Sequence, residues 1–336
     1  MAESGSGART DEGRRPRVAV IHDYLGIAER FADWSPVEAL ADVDFISAPL
    51  TDEDAVVEAL ADYDVISAMR ERLPLTATLM DRLPRLRCFV ATSQSNRAID
   101  FAAAKERGIE VAATANGSHA RVATAELTWG LIIAATRGIV AEDRAIRAGR
   151  WQTGAFPALY GRTIGIVGLG GTGRYLARFA REFGMHVLAY SPHLSEMDAV
   201  ESGAEAVGLD ELLERSDVVT LHLVLSESTR HLIDARGIAR MKPSAVLVNT
   251  SRGPIVDEAA LIEALRDRRI AGAALDVFDV EPLPAGHPLT QLDNVVLSPH
   301  AAGFTEETYR VWYEGSAEAV LAFLEGRDIP LRHRTS

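Results

Sequence analysis

From Arg17 onward, short runs of aliphatic and β-branched residues alternate with longer stretches whose apolar positions recur every three or four residues. The runs RVAVI, VDFIS, DVISAM, RCFVA and IEVAA read as strands, and DEDAVVEALA and DFAAAKERG between them as helices. Strands and helices in alternation imply βαβ units around a parallel sheet. Near Arg121 the rhythm changes. The stretch ARVATAELTWGLIIAATRGIVAEDRAIRAGR predicts one continuous helix from Val122 to Ala148, about 40 Å long and suited to bridging two domains. A second series follows, with strands TIGIV, HVLAY, DVVTLHL, AVLVNT, AGAALDV and VVLS, before a last helical stretch, TEETYRVWYEGSAEAVLAFLEG.

The fold class expected from this pattern is α/β: two Rossmann- or flavodoxin-like parallel-sheet domains with an interdomain cleft, where a small-molecule site is expected. The expected division is a disordered, polar, Gly-rich tail over 1–16, a first domain over 17–117 completed by a returning helix over 301–330, and a second domain over 118–300. The first residues lack the apolar core of a signal peptide. No apolar stretch reaches the ~20 residues of a membrane span, so no membrane partner and a cytoplasmic location are expected. A net charge of -13 argues against a nucleic-acid-binding face. The single cysteine, Cys88, lies in LRCFVA and reads as a buried strand residue. No Cys/His spacing suggests a metal site.

Candidate chemistry starts at Gly168-Leu169-Gly170-Gly171-Thr172-Gly173, which follows TIGIV and opens GRYLARFARE. This is the strand-to-helix context a dinucleotide fingerprint needs. Gly168 permits the tight turn, Gly170 lets the backbone approach a pyrophosphate, and Gly173 lets the helix pack close to the strand. Gly171 and Thr172 belong to the same anion-binding helix start. The expected cofactor is NAD(H) or NADP(H). The next strand ends in Ser191-Pro192-His193, where a NAD enzyme usually carries an acid for the ribose. With no acid there to repel a 2′-phosphate and no adjacent arginine to clamp one, weak discrimination is expected, with His193 a candidate donor. That Ser191 merely continues a turn stays open.

Three polar segments then follow apolar β-runs: VNTSRGPIVDEAAL with Thr250 and Arg252, ALDVFDVEPLP with Asp276 and Glu281, and NVVLSPHAAG with His300. Each is expected at the carboxyl edge of a sheet, where open α/β sheets bind ligands. Together with the glycine loop, these segments closely resemble the D-isomer-specific 2-hydroxyacid dehydrogenase family, which includes phosphoglycerate dehydrogenase, glyoxylate/hydroxypyruvate reductase and formate dehydrogenase. The resemblance implies an NAD(P)-dependent oxidoreductase that moves a hydride between nicotinamide and C2 of a small D-2-hydroxy or 2-keto acid, usually as a homodimer. It also implies the roles: His300 as acid/base, Glu281 as its partner, Arg252 on the substrate carboxylate and C2 oxygen, and Asp276 on the nicotinamide carboxamide. Thr250 falls with the cofactor-binding residues. The residue types suit these roles, because an imidazole titrates near neutrality and a guanidinium fork fits two oxygens. His222, in VTLHLVL, reads either as structural or as lying beside the cofactor.

The same resemblance places substrate identity in the first domain. Ser93 and Ser95, in Ala91–Asp100, stand where the family usually has glycines whose N–H groups cradle the carboxylate. The departure adds hydroxyls, with Asn96 and Arg97 following. Arg70, in SAMRER, aligns with a segment where phosphoglycerate dehydrogenases carry basic residues facing the phosphate; Arg72 reads as solvated. His119 and Arg121 are further candidates at the hinge. Arg70, Ser93, Ser95, Asn96 and Arg97 are thus the expected substrate residues, and a substrate with a second anionic group is expected. The rival readings are a dinucleotide-sensing, corepressor-like binding protein and a formate- or phosphite-type dehydrogenase on the same scaffold.

Overall fold

The computed structural model describes residues 14–331 except 51, 93–95, 97, 116–119 and 193. Most of the expected tail, together with Ser93, Ser95, Arg97, His119 and His193, therefore lies outside the described residues. The chain divides into two compact units, Met1–Ser118 with Glu306–Ser336, and His119–Thr305.

In the first unit, five strands are β1 (Arg17–Ile21), β2 (Asp42–Ile46), β3 (Val65–Ala68), β4 (Cys88–Ala91) and β5 (Glu110–Ala113). They form a parallel sheet in the order β2-β1-β3-β4-β5. Every residue of β3 and β4 is buried, Cys88 included. Helices cover both faces of such a sheet, which is why these strands read as unbroken apolar runs. The helix Glu306–Leu324 packs on this unit and brings Trp312 and Tyr313 into its interior. The chain leaves β1 toward β2 on one side and β3 on the other. This switch point puts the ends of β1 and β3, with His22 and Arg70 just beyond, where open sheets take ligands.

In the second unit, β6 (Thr163–Val167), β7 (His186–Tyr190), β8 (Glu205–Ala206), β9 (Val218–Leu221), β10 (Val246–Asn249), β11 (Gly272–Leu275) and β12 (Val295–Leu297) form a parallel sheet. The order is β12-β11-β10-β9-β6-β7-β8, with the switch between β6 and β9. The edge strand β8 has only two residues and no apolar run, so the sequence pattern did not announce it.

The continuous helix expected over Val122–Ala148 is not formed. Two helices, Ala120–Thr136 and Ile139–Arg147, meet at Gly138, whose φ is +62°. A Cβ at Gly138 would lie 2.2 Å from the Phe156 ring. Apolar periodicity continues on both sides of the break. What interrupts it is a left-handed residue held under an aromatic ring, which a periodicity cannot register.

Candidate active site

The glycine loop joins β6 to the helix Gly171–Glu182. Gly168 has φ +107°, and a Cβ there would meet the His222 carbonyl oxygen at 2.6 Å. A Cβ on Gly173 would fall 2.2 Å from the Gly168 oxygen, so only glycine lets helix and turn close up. By contrast, nothing lies within 4 Å of a Cβ built on Gly170. No side chain caps this helix at Gly170. Uncapped N–H groups facing open space beside a glycine are what a pyrophosphate needs, so the loop fits a nicotinamide dinucleotide.

Neighbouring residues shape the loop. The Leu169 N–H donates to Ser191 Oγ at 2.9 Å, so Ser191 holds the turn itself. Thr128 donates to the Thr124 carbonyl at 2.6 Å, and its oxygen lies 2.8 Å from Thr250 Oγ1. With the Thr128 proton committed, Thr250 must donate, and its oxygen keeps both lone pairs as acceptors. His222 Nε2 lies 2.8 Å from Thr220 Oγ1, and burial pushes its pKa down to about 3, which keeps the ring neutral. The His222 ring is thus bonded within the protein, and its carbonyl backs the glycine loop.

Beyond the carboxyl ends of adjacent β10, β11 and β12 stand Arg252, Asp276 and His300. Asn249, 1% exposed, clips the first turn: its Oδ1 accepts from Ser251 N at 3.0 Å and its Nδ2 donates to the Arg252 carbonyl at 2.9 Å. Arg252 Nη1 donates to the Ser251 carbonyl at 2.8 Å. Gly253 has no room for a side chain, because a Cβ would come within 2.1 Å of the Phe278 carbonyl carbon. The backbone leading to Glu281 thus lies directly on the residue after Arg252. Sequence reasoning passed over Asn249 and Gly253; a polar residue ending an apolar strand and a glycine beside a functional arginine were the available signals.

Asp276 is fully buried, and its two oxygens accept from Ala301 N at 2.8 Å and Ala302 N at 2.9 Å. Those amides follow His300, which sits at φ +53°. The imidazole Nδ1 is 2.5 Å from Glu281 Oε2, while Oε1 accepts from Phe278 N at 3.0 Å. Burial alone would raise the Glu281 pKa. The hydrogen bond and charge of His300, the Phe278 N–H and the Arg252 charge outweigh it, and the carboxyl is held below its usual range. The site therefore pairs an ionised acid with one ring nitrogen, an arrangement that can support proton exchange at the other.

In the first unit, Arg70 follows β3 at φ +52°, with its N–H donating to Thr92 Oγ1 at 2.9 Å and its guanidinium 5.6 Å from the Trp312 ring centre. Asn96, 4% exposed, donates to the Arg70 carbonyl at 2.8 Å and accepts from Ala98 N at 2.9 Å. Asn96 thus ties two loops together. Arg72 donates to the His22 carbonyl at 3.3 Å and lies over Tyr24.

His22 is 3% exposed, and burial, with the Arg72 charge, pushes its pKa from 6.5 down to about 4. Its Nδ1 has no hydrogen-bond partner among the described residues. Between these values the unfolded chain binds the extra proton, so this contribution to stability is present at neutral pH and lost as pH falls toward 4. The loss between pH 7 and pH 5 is about 2 kcal/mol. Urea unfolding at both pH values should show His22→Gln losing less stability than wild type by about that amount; equal losses would refute the linkage.

Comparison with known proteins places this geometry. A family model, D-isomer specific 2-hydroxyacid dehydrogenase, NAD binding domain, matches residues 129–302. The chain is 43% identical over 263 residues to a glyoxylate reductase of Korarchaeum cryptofilum, spanning 76% of this chain and 78% of that protein. It is 41% identical over 264 residues to an (S)-sulfolactate dehydrogenase of Chromohalobacter salexigens, spanning 78% and 85%. A solved phosphoglycerate oxidoreductase from Vibrio cholerae superposes with a TM-score of 0.85 at 31% identity, covering 93% of this chain and all of that one.

Proposed function

Because the chain belongs to the D-isomer specific 2-hydroxyacid dehydrogenase family, we propose that it interconverts a small D-2-hydroxy acid bearing a second anionic group and the matching 2-keto acid, with His300, Glu281 and Arg252 as its catalytic residues. Membership makes it a D-2-hydroxyacid dehydrogenase that binds NAD(H) or NADP(H). The observation that carries the residue assignment is the 2.5 Å His300–Glu281 pair, standing with Arg252 beyond neighbouring strand ends.

Bound nicotinamide supplies or accepts the hydride. The Gly168–Gly173 loop, Ser191 and Thr250 hold the dinucleotide. His300 keeps Nδ1–H on Glu281, so Nε2 gives a proton to the carbonyl oxygen in reduction and takes it back in oxidation. The ionised Glu281 stabilises the doubly protonated ring during that exchange. Arg252 pairs its planar fork with the substrate carboxylate. Asp276, assigned to the carboxamide from sequence, has a second role supported by its bonds to Ala301 and Ala302: it keeps the His300 loop in place.

Arg70 supports the second anionic group, since a further cation at the ligand edge of the first sheet has use beyond the carboxylate that Arg252 takes. Sulfolactate and phosphoglycerate, named in two of the similar proteins, each carry such a group, whereas glyoxylate does not. A panel of keto acids with NADH and NADPH tests this. Substrates with a distal carboxylate, phosphate, phosphonate or sulfonate should exceed glyoxylate and pyruvate by about ten- to a hundredfold in kcat/KM. Arg70→Ala should shrink that ratio while sparing glyoxylate. The reading is lost if glyoxylate is the best substrate or if Arg70→Ala affects all keto acids equally. Cofactor binding with negligible turnover across the panel would instead favour the sensor reading.

The chain also reads as a cytoplasmic homodimer. In the second unit, Ile139, Ile146, Trp151 and Tyr160 are exposed, Trp151 at 79% and Tyr160 at 81%, and large exposed apolar side chains grouped on one segment support a covered face. No helix among the described residues is long and apolar enough to cross a membrane.

A further inference from the structure

We propose that Arg121 is a cofactor-binding residue, clamping the dinucleotide pyrophosphate against the start of the helix Gly171–Glu182. Arg121 lies in the first turn of the helix Ala120–Thr136, within the same unit as the glycine loop. Its side chain is laid across Gly171. A Cβ at that position would fall 2.6 Å from Arg121 Cδ, 2.9 Å from Nε and 3.2 Å from Cζ. Gly171 has no need of unusual backbone angles, being helical; what its missing side chain provides is the space the guanidinium occupies.

That placement is electrostatically unfavourable for the protein alone. A helix start carries a partial positive charge and stabilises anions, while cations belong at the other end. Among the described residues no carboxylate pairs with Arg121. Two sources of positive potential, the helix amides and the guanidinium, therefore flank the open space beside Gly170. A group with two linked phosphates answers both, one on the amides and one on the arginine. The 2′-phosphate that separates NADP from NAD belongs elsewhere, at the end of β7 near Ser191, whose hydroxyl is bonded to Leu169 N. Arg121 should therefore bind both cofactors and discriminate between neither.

This inference rests on the dinucleotide reading of the glycine loop, and calorimetric binding to the full chain separates the two. The probes are ADP-ribose, NADH and NADPH, which contain the pyrophosphate, and adenosine, which does not. Arg121→Ala should weaken the first three alike by about tenfold, the low end for a charge-assisted hydrogen bond because the guanidinium is exposed. Adenosine binding should be unchanged, and the loss should shrink at high salt. Arg121→Lys should recover part of it, because the charge remains without the fork. Gly171→Ala, which pushes the guanidinium aside, should reproduce the loss with Arg121 still present. Wild-type binding of ADP-ribose matched by Arg121→Ala, or a loss confined to NADPH, overturns the role of Arg121 and leaves the loop assignment standing. Failure of the wild type to bind ADP-ribose overturns both. Thermal unfolding without ligand identifies any variant that has lost its fold, in which case Arg121→Gln decides.

Discussion

Replacing His300 with asparagine is expected to lower turnover by about 10²–10⁴-fold while dinucleotide binding stays within a few-fold of wild type. In the proposed reading the imidazole exchanges a proton with the substrate oxygen, which an amide cannot do near neutral pH. Asparagine is the suitable replacement because His300 sits at φ +53°, a conformation asparagine adopts more readily than most residues. The anchors from Ala301 and Ala302 to Asp276 use backbone amides and survive the change. Glu281→Gln is the paired experiment. Its carboxyl is held below the usual range and so stays ionised through any ordinary assay. Losing that charge removes support for the protonated imidazole, and the pH profile of reduction should move toward acid. Steady-state kinetics and calorimetry check both. Turnover of His300→Asn within about threefold of wild type would remove it from proton transfer, and an unmoved profile for Glu281→Gln would break the pairing.

Arg252→Gln is expected to lower kcat/KM for keto acids by about 10²–10⁴-fold, the loss of two charge-assisted hydrogen bonds to one carboxylate. Arg252→Lys should restore little, since a point charge cannot replace a planar fork. The backbone at this position is held independently of the side chain, by the Asn249 clip and by the packing of Phe278 on Gly253. Both variants should therefore fold and bind cofactor as wild type does. A drop in cofactor affinity equal to the drop in kcat/KM would show that Arg252 serves the dinucleotide rather than the substrate.

The central strands of both sheets were legible because a parallel strand covered on both faces is apolar along most of its length, and that demand is written in consecutive residues. Cys88, read from sequence as a buried strand residue, lies in β4 with no exposure for the same reason. The glycine loop was legible because strand, turn and helix are contiguous there. The order of Arg252, Glu281 and His300 carried the family resemblance for a related reason, each standing just past a recognisable apolar run. The two-residue β8 and the helix break at Gly138 were not legible. The first has too few residues for a pattern, and the second depends on Phe156, which lies beyond the next helix.

Residue types, their chain order and the burial of the central strands were thus determined by the sequence itself, since all three are expressed in neighbouring residues. Which polar atoms meet was decided only in the tertiary structure. Ser191 was read either against a ribose or as continuing a turn, and its hydroxyl takes the N–H of Leu169, 22 residues earlier. Asp276 was read against a nicotinamide, and both its oxygens also hold amides 25 and 26 residues later. Arg121 was placed at a hinge, and it lies over Gly171. The reason is physical: a buried carboxylate or hydroxyl must satisfy its hydrogen bonds with whatever the sheet order brings within about 3 Å. That order is set by packing between elements far apart in the chain, which no local pattern records.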